Sequence, residues 1–223
     1  EIGSGLVGSE MCIRDRFRQR DWGELNGKTL CFLYREDQVA ATRWYVDRVL
    51  ESFRNANYKN LDLAGFYWVD EDIAYNGDLS LSVSEYIHSK NLLFYWIPYW
   101  KAVGYDKWRE LGFDMAYLQP NHFFEENIPD SRLEEACKES EKNGMAIEME
   151  FDSRALSDYE PVSFRSRMKS YIDVFKDNGV FFDLPIAYYS GSRAIYEMYK
   201  SEDERDKEIM DELCELIVER HKK

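Results

Sequence analysis

The feature that most constrains the fold of this 223-residue chain is the alternation of apolar runs of strand length with amphipathic stretches of helix length. Six runs predict strands, at Thr29–Tyr34, Leu63–Val69, Leu92–Tyr99, Met115–Leu118, Met145–Phe151 and Leu184–Tyr189. Helices are predicted between and after them, at Val39–Asn55, Leu79–Ser89, Tyr105–Leu111, Ser131–Asn143, Ser163–Asn178 and Asp203–Lys222. This order is typical of βα units that build a parallel sheet, so we predict an α/β fold.

The helix predicted from Ser131 has the clearest boundary signals. Ser131 and Glu134 have the spacing of a capping box. Asn143–Gly144 supplies a stop before the next strand.

The number of units indicates an incomplete barrel. Six βα units are two fewer than a closed (β/α)8 TIM barrel contains, and an open parallel sheet would leave two unpaired edges. The first sixteen residues (EIGSGLVGSEMCIRDR) have neither helical nor strand periodicity and resemble translated sequencing-adapter sequence at the broken end of a metagenomic gene. We therefore expect residues 1–16 to be non-native and residues 17–223 to be a truncated barrel domain.

Composition excludes several classes of partner. A formal net charge of −14 without a basic patch predicts a chain that binds neither nucleic acid nor an anionic membrane surface. No apolar run approaches the length of a membrane span. The cysteines are scattered and form no CxxC pair, so neither a zinc site nor a dense disulfide framework is indicated; they are Cys12, Cys31, Cys137 and Cys214. We expect no metal and no cofactor.

The run AIEMEFD at 146–152 carries the strongest chemical signal. Successive side chains of a strand point to opposite faces, so Glu148, Glu150 and Asp152 share one face and the apolar residues share the other. In a barrel the apolar face belongs beneath the helices, and the acids belong inside, towards the mouth. Buried carboxylates need pairing, hydrogen bonds or a function, and the structural alternative is that these acids satisfy Arg or Tyr partners.

Side chains suited to a carbohydrate follow the ends of several predicted strands. Aromatic rings stack on the apolar faces of sugars, and amides bond to their hydroxyls. Core packing is the alternative for each ring, and a satisfied loop histidine is the alternative for the one histidine of this set. The predicted substrate-binding residues are Trp68, Tyr99, Trp100, Gln119, Asn121, His122, Tyr188 and Tyr189.

Four runs together resemble a bacterial family known as domain of unknown function DUF4855. They are GFYWVDED (Gly65–Asp72), FYWIPYW (Phe94–Trp100), GFDMAYLQPNHFF (Gly112–Phe124) and GMAIEMEFD (Gly144–Asp152). The resemblance extends over nearly all of Trp22–His221. It implies a glycoside-hydrolase-like (β/α)8 barrel in which the visible strands are numbers 3 to 8, and it implies an exported bacterial protein.

The resemblance also implies roles for three acids. In the large clan of retaining glycosidases the acid/base follows strand 4 and the nucleophile ends strand 7, which correspond here to Glu71 and Glu150. That clan has an asparagine before the strand-4 glutamate, whereas this chain has Asp70. Glycoside hydrolysis needs one protonated and one ionised carboxyl about 5–10 Å apart. We expect Glu71 as general acid/base, Glu150 as nucleophile or stabiliser, and Glu148 as a neighbour that raises a pKa by like-charge proximity.

The expected function is therefore a glycoside hydrolase-like activity on a poly- or oligosaccharide. The main alternative is a non-catalytic carbohydrate-binding barrel that keeps the aromatic residues. A third is a phosphate-handling barrel that uses the Ser190–Arg193 turn, although an acid-rich mouth disfavours a phosphorylated substrate. A divalent cation on Asp70, Glu71 and Asp72 is disfavoured because three consecutive side chains point in different directions.

Overall fold

A computed structural model describes residues 20–191, 193–220 and 222, so the predicted non-native segment 1–16 lies outside the described residues. The chain divides into two compact units, and the division falls between Ala116 and Tyr117. No helix in the described part of the chain combines the length and apolar character that a membrane span requires.

The first unit begins with a hairpin and continues with alternating helices and strands. Its elements are β1 (Gly23–Leu25), β2 (Lys28–Leu30), α1 (Arg35–Ala56), β3 (Gly65–Trp68), α2 (Gly77–His88) and β4 (Leu93–Trp96), followed by a 3-10 turn at Tyr105–Lys107 and the start of β5 (Met115–Leu118). β3 pairs with β4, and β4 pairs with β5, in parallel.

The predicted strand Thr29–Tyr34 is wrong as a member of the parallel sheet. Asn26 and Gly27 both have positive φ, at 54° and 81°, which is the geometry of a tight hairpin turn. β2 therefore folds back on β1 in antiparallel register. The apolar residues Leu30 and Phe32 are buried against Ala41 of α1, so the run forms a small separate cluster.

The second unit contains the rest of the regular structure. Its elements are the end of β5, then α3 (Ser131–Asn143), β6 (Ala146–Phe151), a 3-10 turn at Ser153–Ala155, α4 (Arg165–Asp177), α5 (Val180–Asp183), β7 (Ile186–Ser190), α6 (Ala194–Lys200) and α7 (Glu204–Arg220). β5 pairs with β6, and β6 pairs with β7, in parallel.

The α/β prediction is confirmed, with five parallel strands in place of the expected six βα units. The strands pair in the order β3-β4-β5-β6-β7, because β5 pairs through Met115–Ala116 with β4 and through Tyr117–Leu118 with β6. The predicted bounds of β5 match those observed, and the other four predicted strands overlap β3, β4, β6 and β7.

α3 tests the boundary predictions. The predicted range Ser131–Asn143 is confirmed, and Gly144 ends the helix with φ 59°, its N–H bonded to carbonyls of the last turn. The capping-box prediction is wrong. Ser131 is the first helical residue, and the residue before it, Asp130, makes no side-chain bond to the helix because its carboxylate is bonded elsewhere.

Candidate functional site

The carboxylate-bearing face of β6 is the centre of the candidate site. All six residues of β6 are buried, including Glu148 at 6% exposure and Glu150 at 1%. Glu150 is in register with Tyr189 of β7, and Met149 is in register with Tyr188. Because paired residues share a face, Glu150 and Tyr189 lie on one side of the sheet, and Met149 and Tyr188 lie on the other.

The carboxylate of Glu150 accepts a hydrogen bond from the hydroxyl of Tyr171 on α4. The two oxygens are 2.6 Å apart, and Tyr171 is fully buried. Burial, reinforced by the negative charge of Glu150, raises the pKa of Tyr171 well above its ordinary value, so this hydroxyl keeps its proton at neutral pH. No sequence signal linked Tyr171 to Glu150.

His122 lies in the loop after β5, as predicted, and its side chain is fully buried. Its Nε2 lies 2.8 Å from a carboxylate oxygen of Asp130, whose other oxygen accepts from the Ser170 hydroxyl at 2.7 Å. Burial lowers the pKa of His122, and the hydrogen bond to Asp130 opposes this only in part. The neutral ring therefore donates through Nε2, while Nδ1 is buried without a hydrogen-bond partner among the described residues.

Arg167 of α4 holds the same loop through backbone carbonyls. Its guanidinium donates to the carbonyl oxygens of Phe123 at 3.2 Å, Glu125 at 2.8 Å and Ile128 at 3.0 Å, and also to that of His122. One cation thus binds four carbonyls of a single loop, which fixes the backbone that carries His122.

The third acid of the β6 face, Asp152, is already paired. Its two oxygens accept from the guanidinium of Arg154 at 2.9–3.0 Å. That guanidinium lies over three aromatic rings, those of Phe123, Phe124 and Phe164, at 4.7–5.7 Å from their centroids. Asp152 is therefore a structural partner of Arg154.

The polar and aromatic candidates of the second unit follow β5 or lie on β7. Gln119 is 6% exposed, and its amide oxygen lies 3.4 Å from the amide nitrogen of Asn121. Tyr189 is 52% exposed, and its ring packs edge-on against that of Phe124. Tyr188, on the opposite face, has its pKa raised by burial, and Arg220 of α7 opposes that rise. The structure brings Tyr189, and not Tyr188, onto the face that carries Glu150.

In the first unit the acids that follow β3 take separate partners. Asp70 accepts from the side-chain amide of Asn76 at 2.8 Å. Asp72 accepts from the backbone N–H of Ala74 at 2.7 Å and from the hydroxyl of Tyr99 at 2.6 Å. Asp70 and Asp72 do not converge, and the described residues contain no cluster of three metal-ligating side chains.

The remaining predicted site residues of the first unit are Glu71, Trp68 and Trp100. Glu71 is half-buried, and its backbone carbonyl accepts from the N–H of Tyr99. Trp68 is 6% exposed and packs edge-on against Phe94, which makes it a core ring. Trp100 is half-buried, with the ammonium of Lys101 5.1 Å from its ring centroid.

A serine, a histidine and an aspartate also align in the first unit. The Ser84 hydroxyl is 3.3 Å from Nδ1 of His88, and Nε2 of His88 is 2.8 Å from Asp114. Ser84, however, is 2% exposed and donates its proton to the Gly112 carbonyl at 2.6 Å. Because a nucleophilic serine must face its substrate and give its proton to a base, this group anchors α2 and is not a hydrolytic triad.

The turn that could bind phosphate is only partly described, because Ser192 lies outside the described residues. The Ser190 hydroxyl accepts weakly from the backbone N–H of Ile195, at 3.4 Å. α6, which follows, has seven residues and borders an open pocket of about 470 Å³ lined mainly by apolar and aromatic side chains.

The four sequence runs quoted above lie in β3 to β6 and the loops between them. The sequence profile of the family described as domain of unknown function DUF4855 matches residues 12–215. The chain belongs to this family. A comparison with curated proteins found no match. The range matched to DUF4855 includes every residue of the candidate site.

Proposed function

We propose that this DUF4855 chain is part of a glycoside-hydrolase-like (β/α)8 barrel that acts on a poly- or oligosaccharide. The observation that carries the proposal is the pair of buried acids on one face of β6. Glu148 and Glu150 are two residues apart on the same strand, and both are less than a tenth exposed. Burying two carboxyls side by side is unfavourable unless they are paired, hydrogen-bonded or used in chemistry, and unequal ionisation of such a pair suits acid–base catalysis.

In the proposed mechanism Glu150 is ionised and acts as nucleophile or as electrostatic stabiliser of the developing oxocarbenium ion. Glu71 protonates the leaving glycosidic oxygen and then, in a retaining reaction, activates water as general base. When Glu148 is ionised, its charge disfavours ionisation of a neighbouring carboxyl, which then keeps its proton to a higher pH.

Three residues of the second unit support a sugar as the ligand. Tyr189 shares the face of Glu150 and exposes half of its ring, which suits stacking on a pyranose. Gln119 and Asn121, after β5, carry amides that donate to and accept from hydroxyl groups.

The test is turnover of a panel of glycans by the full chain and by Glu150→Gln and Glu71→Gln variants. We expect kcat to fall by at least about a hundredfold in each variant, because each removes a group that acts in the transition state. Glu134→Gln, on the exposed surface of α3, is the matched control and should leave turnover unchanged. Unchanged turnover in both site variants, with folding verified by circular dichroism, would reject the hydrolase proposal.

A non-catalytic carbohydrate-binding barrel is the second candidate, and one observation favours it. At 1% exposure, with an oxygen bonded to Tyr171, Glu150 offers little surface to a ligand in this conformation. Affinity electrophoresis in polysaccharide gels separates the two proposals. Retardation that Tyr189→Ala abolishes, without turnover of any glycan, would favour binding alone.

We also propose that the protein is exported, since a polysaccharide substrate would be met at or beyond the cell surface. Detection of the native protein in the periplasmic or extracellular fraction tests this.

A further inference from the structure

The hydroxyl of Tyr171 has a defined direction. The Tyr171 hydroxyl donates to the carboxylate of Glu150, and the two oxygens are 2.6 Å apart. A hydroxyl has one proton to give. Since the carboxylate oxygen accepts, that proton points to Glu150.

We propose that Tyr171 is a positioning residue that holds Glu150 in one rotamer and in its ionised form, an inference that rests on the proposed role of Glu150. It assigns Glu150 as the negative partner of the site and excludes it as the proton donor. A donor to a carboxylate stabilises the charged state, because the protonated acid has less need of the bond.

The surrounding loop makes this arrangement rigid. The ring of His122 is bonded to Asp130, and its carbonyl is bonded to Arg167. Tyr171 and Arg167 are four residues apart on α4, so one face of one helix holds both the loop and the carboxylate. The ring of Tyr171 also packs edge-on against that of His122, at 5.4 Å.

The groups near Glu150 have opposite effects on its ionisation. Glu148, on the same strand, and burial both disfavour the charge of Glu150. Tyr171 from α4 favours it. Asp152, on the same face of β6, is paired with Arg154, and the neutral ring of His122 adds no charge near neutral pH. Removing only the Tyr171 oxygen should therefore shift the balance towards protonated Glu150.

The experiment is a titration of glutamate side-chain carboxyls by 13C NMR in the full chain, with the Glu150 signal assigned by its loss in Glu150→Gln. We expect the Glu150 midpoint to rise by about one to two pH units in Tyr171→Phe, as loss of a hydrogen bond to a charged group predicts. Tyr188→Phe, on the opposite face of the sheet, is the matched control and should leave the midpoint unchanged.

An unchanged or lower Glu150 midpoint in folded Tyr171→Phe would overturn the inference. If that variant does not fold, the reciprocal measurement replaces it. In Glu150→Gln the 13C signal of the Tyr171 ring should titrate at lower pH than in the parent, because the charge that raises its pKa is gone, and no change would be equally decisive. Neither measurement depends on turnover, so a failed hydrolase assay leaves this result interpretable.

Discussion

Arg167 offers the sharpest test of how the loop after β5 is held. Replacement by Met keeps the length of the side chain and removes every donor. Two of the four carbonyls that lose a donor, those of His122 and Phe123, belong to fully buried residues, whereas Glu125 is exposed and can turn to water. The His122 carbonyl still accepts from the N–H of Glu125, at 3.3 Å, so the main loss is the donor to the Phe123 carbonyl. Leaving a buried acceptor unsatisfied costs about 1–3 kcal/mol, and we expect Arg167→Met to lose that much unfolding free energy.

The assay is urea unfolding followed by far-UV circular dichroism and tyrosine fluorescence, with coincident transitions as the two-state check. Arg167→Lys should lose about half as much, because an ammonium has fewer donors and no planar fork. Arg205→Met is the matched control, since Arg205 is exposed and its guanidinium bonds to Asp203 within its own turn, and its urea midpoint should not change. A loss below about 0.5 kcal/mol in Arg167→Met, the range of an ordinary surface change, would refute the reasoning.

Two further predictions concern pH and packing. The pKa of His122 is lower in the folded chain than its ordinary value of 6.5, so the unfolded chain takes up a proton first as the pH falls. Neutral His122 therefore contributes fully to the free energy of unfolding above pH 6.5, and this contribution is lost as the pH falls through the folded pKa. Urea midpoints between pH 7.5 and 5 should therefore fall more steeply in the parent than in His122→Asn. A Cβ added at Gly191 would lie 2.8 Å from that of Asp152, so Gly191→Ala should destabilise by about 1–3 kcal/mol in thermal unfolding, whereas Ala194→Ser, nearby on α6, should cost less.

The strands of the parallel sheet were predictable from the sequence because each is a short apolar run with turn residues on both sides. β5 and β6 show this best, since their ranges were predicted to within one residue. The alternation of β6 also predicted that Glu148 and Glu150 share a face, because the period of two is a property of the backbone.

The errors have local physical causes. The run TLCFLY reads as a strand by composition, but Asn26–Gly27 just before it forms the tight turn of a hairpin, and a turn of this type overrides an apolar run. The Ser131–Glu134 pair has capping-box spacing, yet the preceding Asp130 is bonded to His122 and Ser170. Residue spacing cannot show that the carboxylate of Asp130 bonds to His122 and Ser170 and not to the start of the helix.

The partners of the acids were beyond sequence reasoning for a similar reason. Helical periodicity identifies Tyr171 as buried, but a buried tyrosine needs only some acceptor, and many carbonyls and carboxylates would serve. Which acceptor it meets depends on how α4 lies against the end of β6. The same holds for Arg167, which sequence patterns predict at most as a solvated cation on a helix.

The hydrogen bond from Tyr171 to Glu150 joins α4 to β6 within the second unit. The ring of His122 in the loop after β5 packs edge-on against Tyr171, and α4 supplies both Tyr171 and the guanidinium that holds the loop. Loop stability and Glu150 ionisation should therefore be linked. Loosening the loop through Arg167→Met would loosen the packing of the His122 ring against Tyr171 and so weaken the bond from Tyr171 to Glu150. The Glu150 midpoint should therefore rise in that variant as well, by less than in Tyr171→Phe.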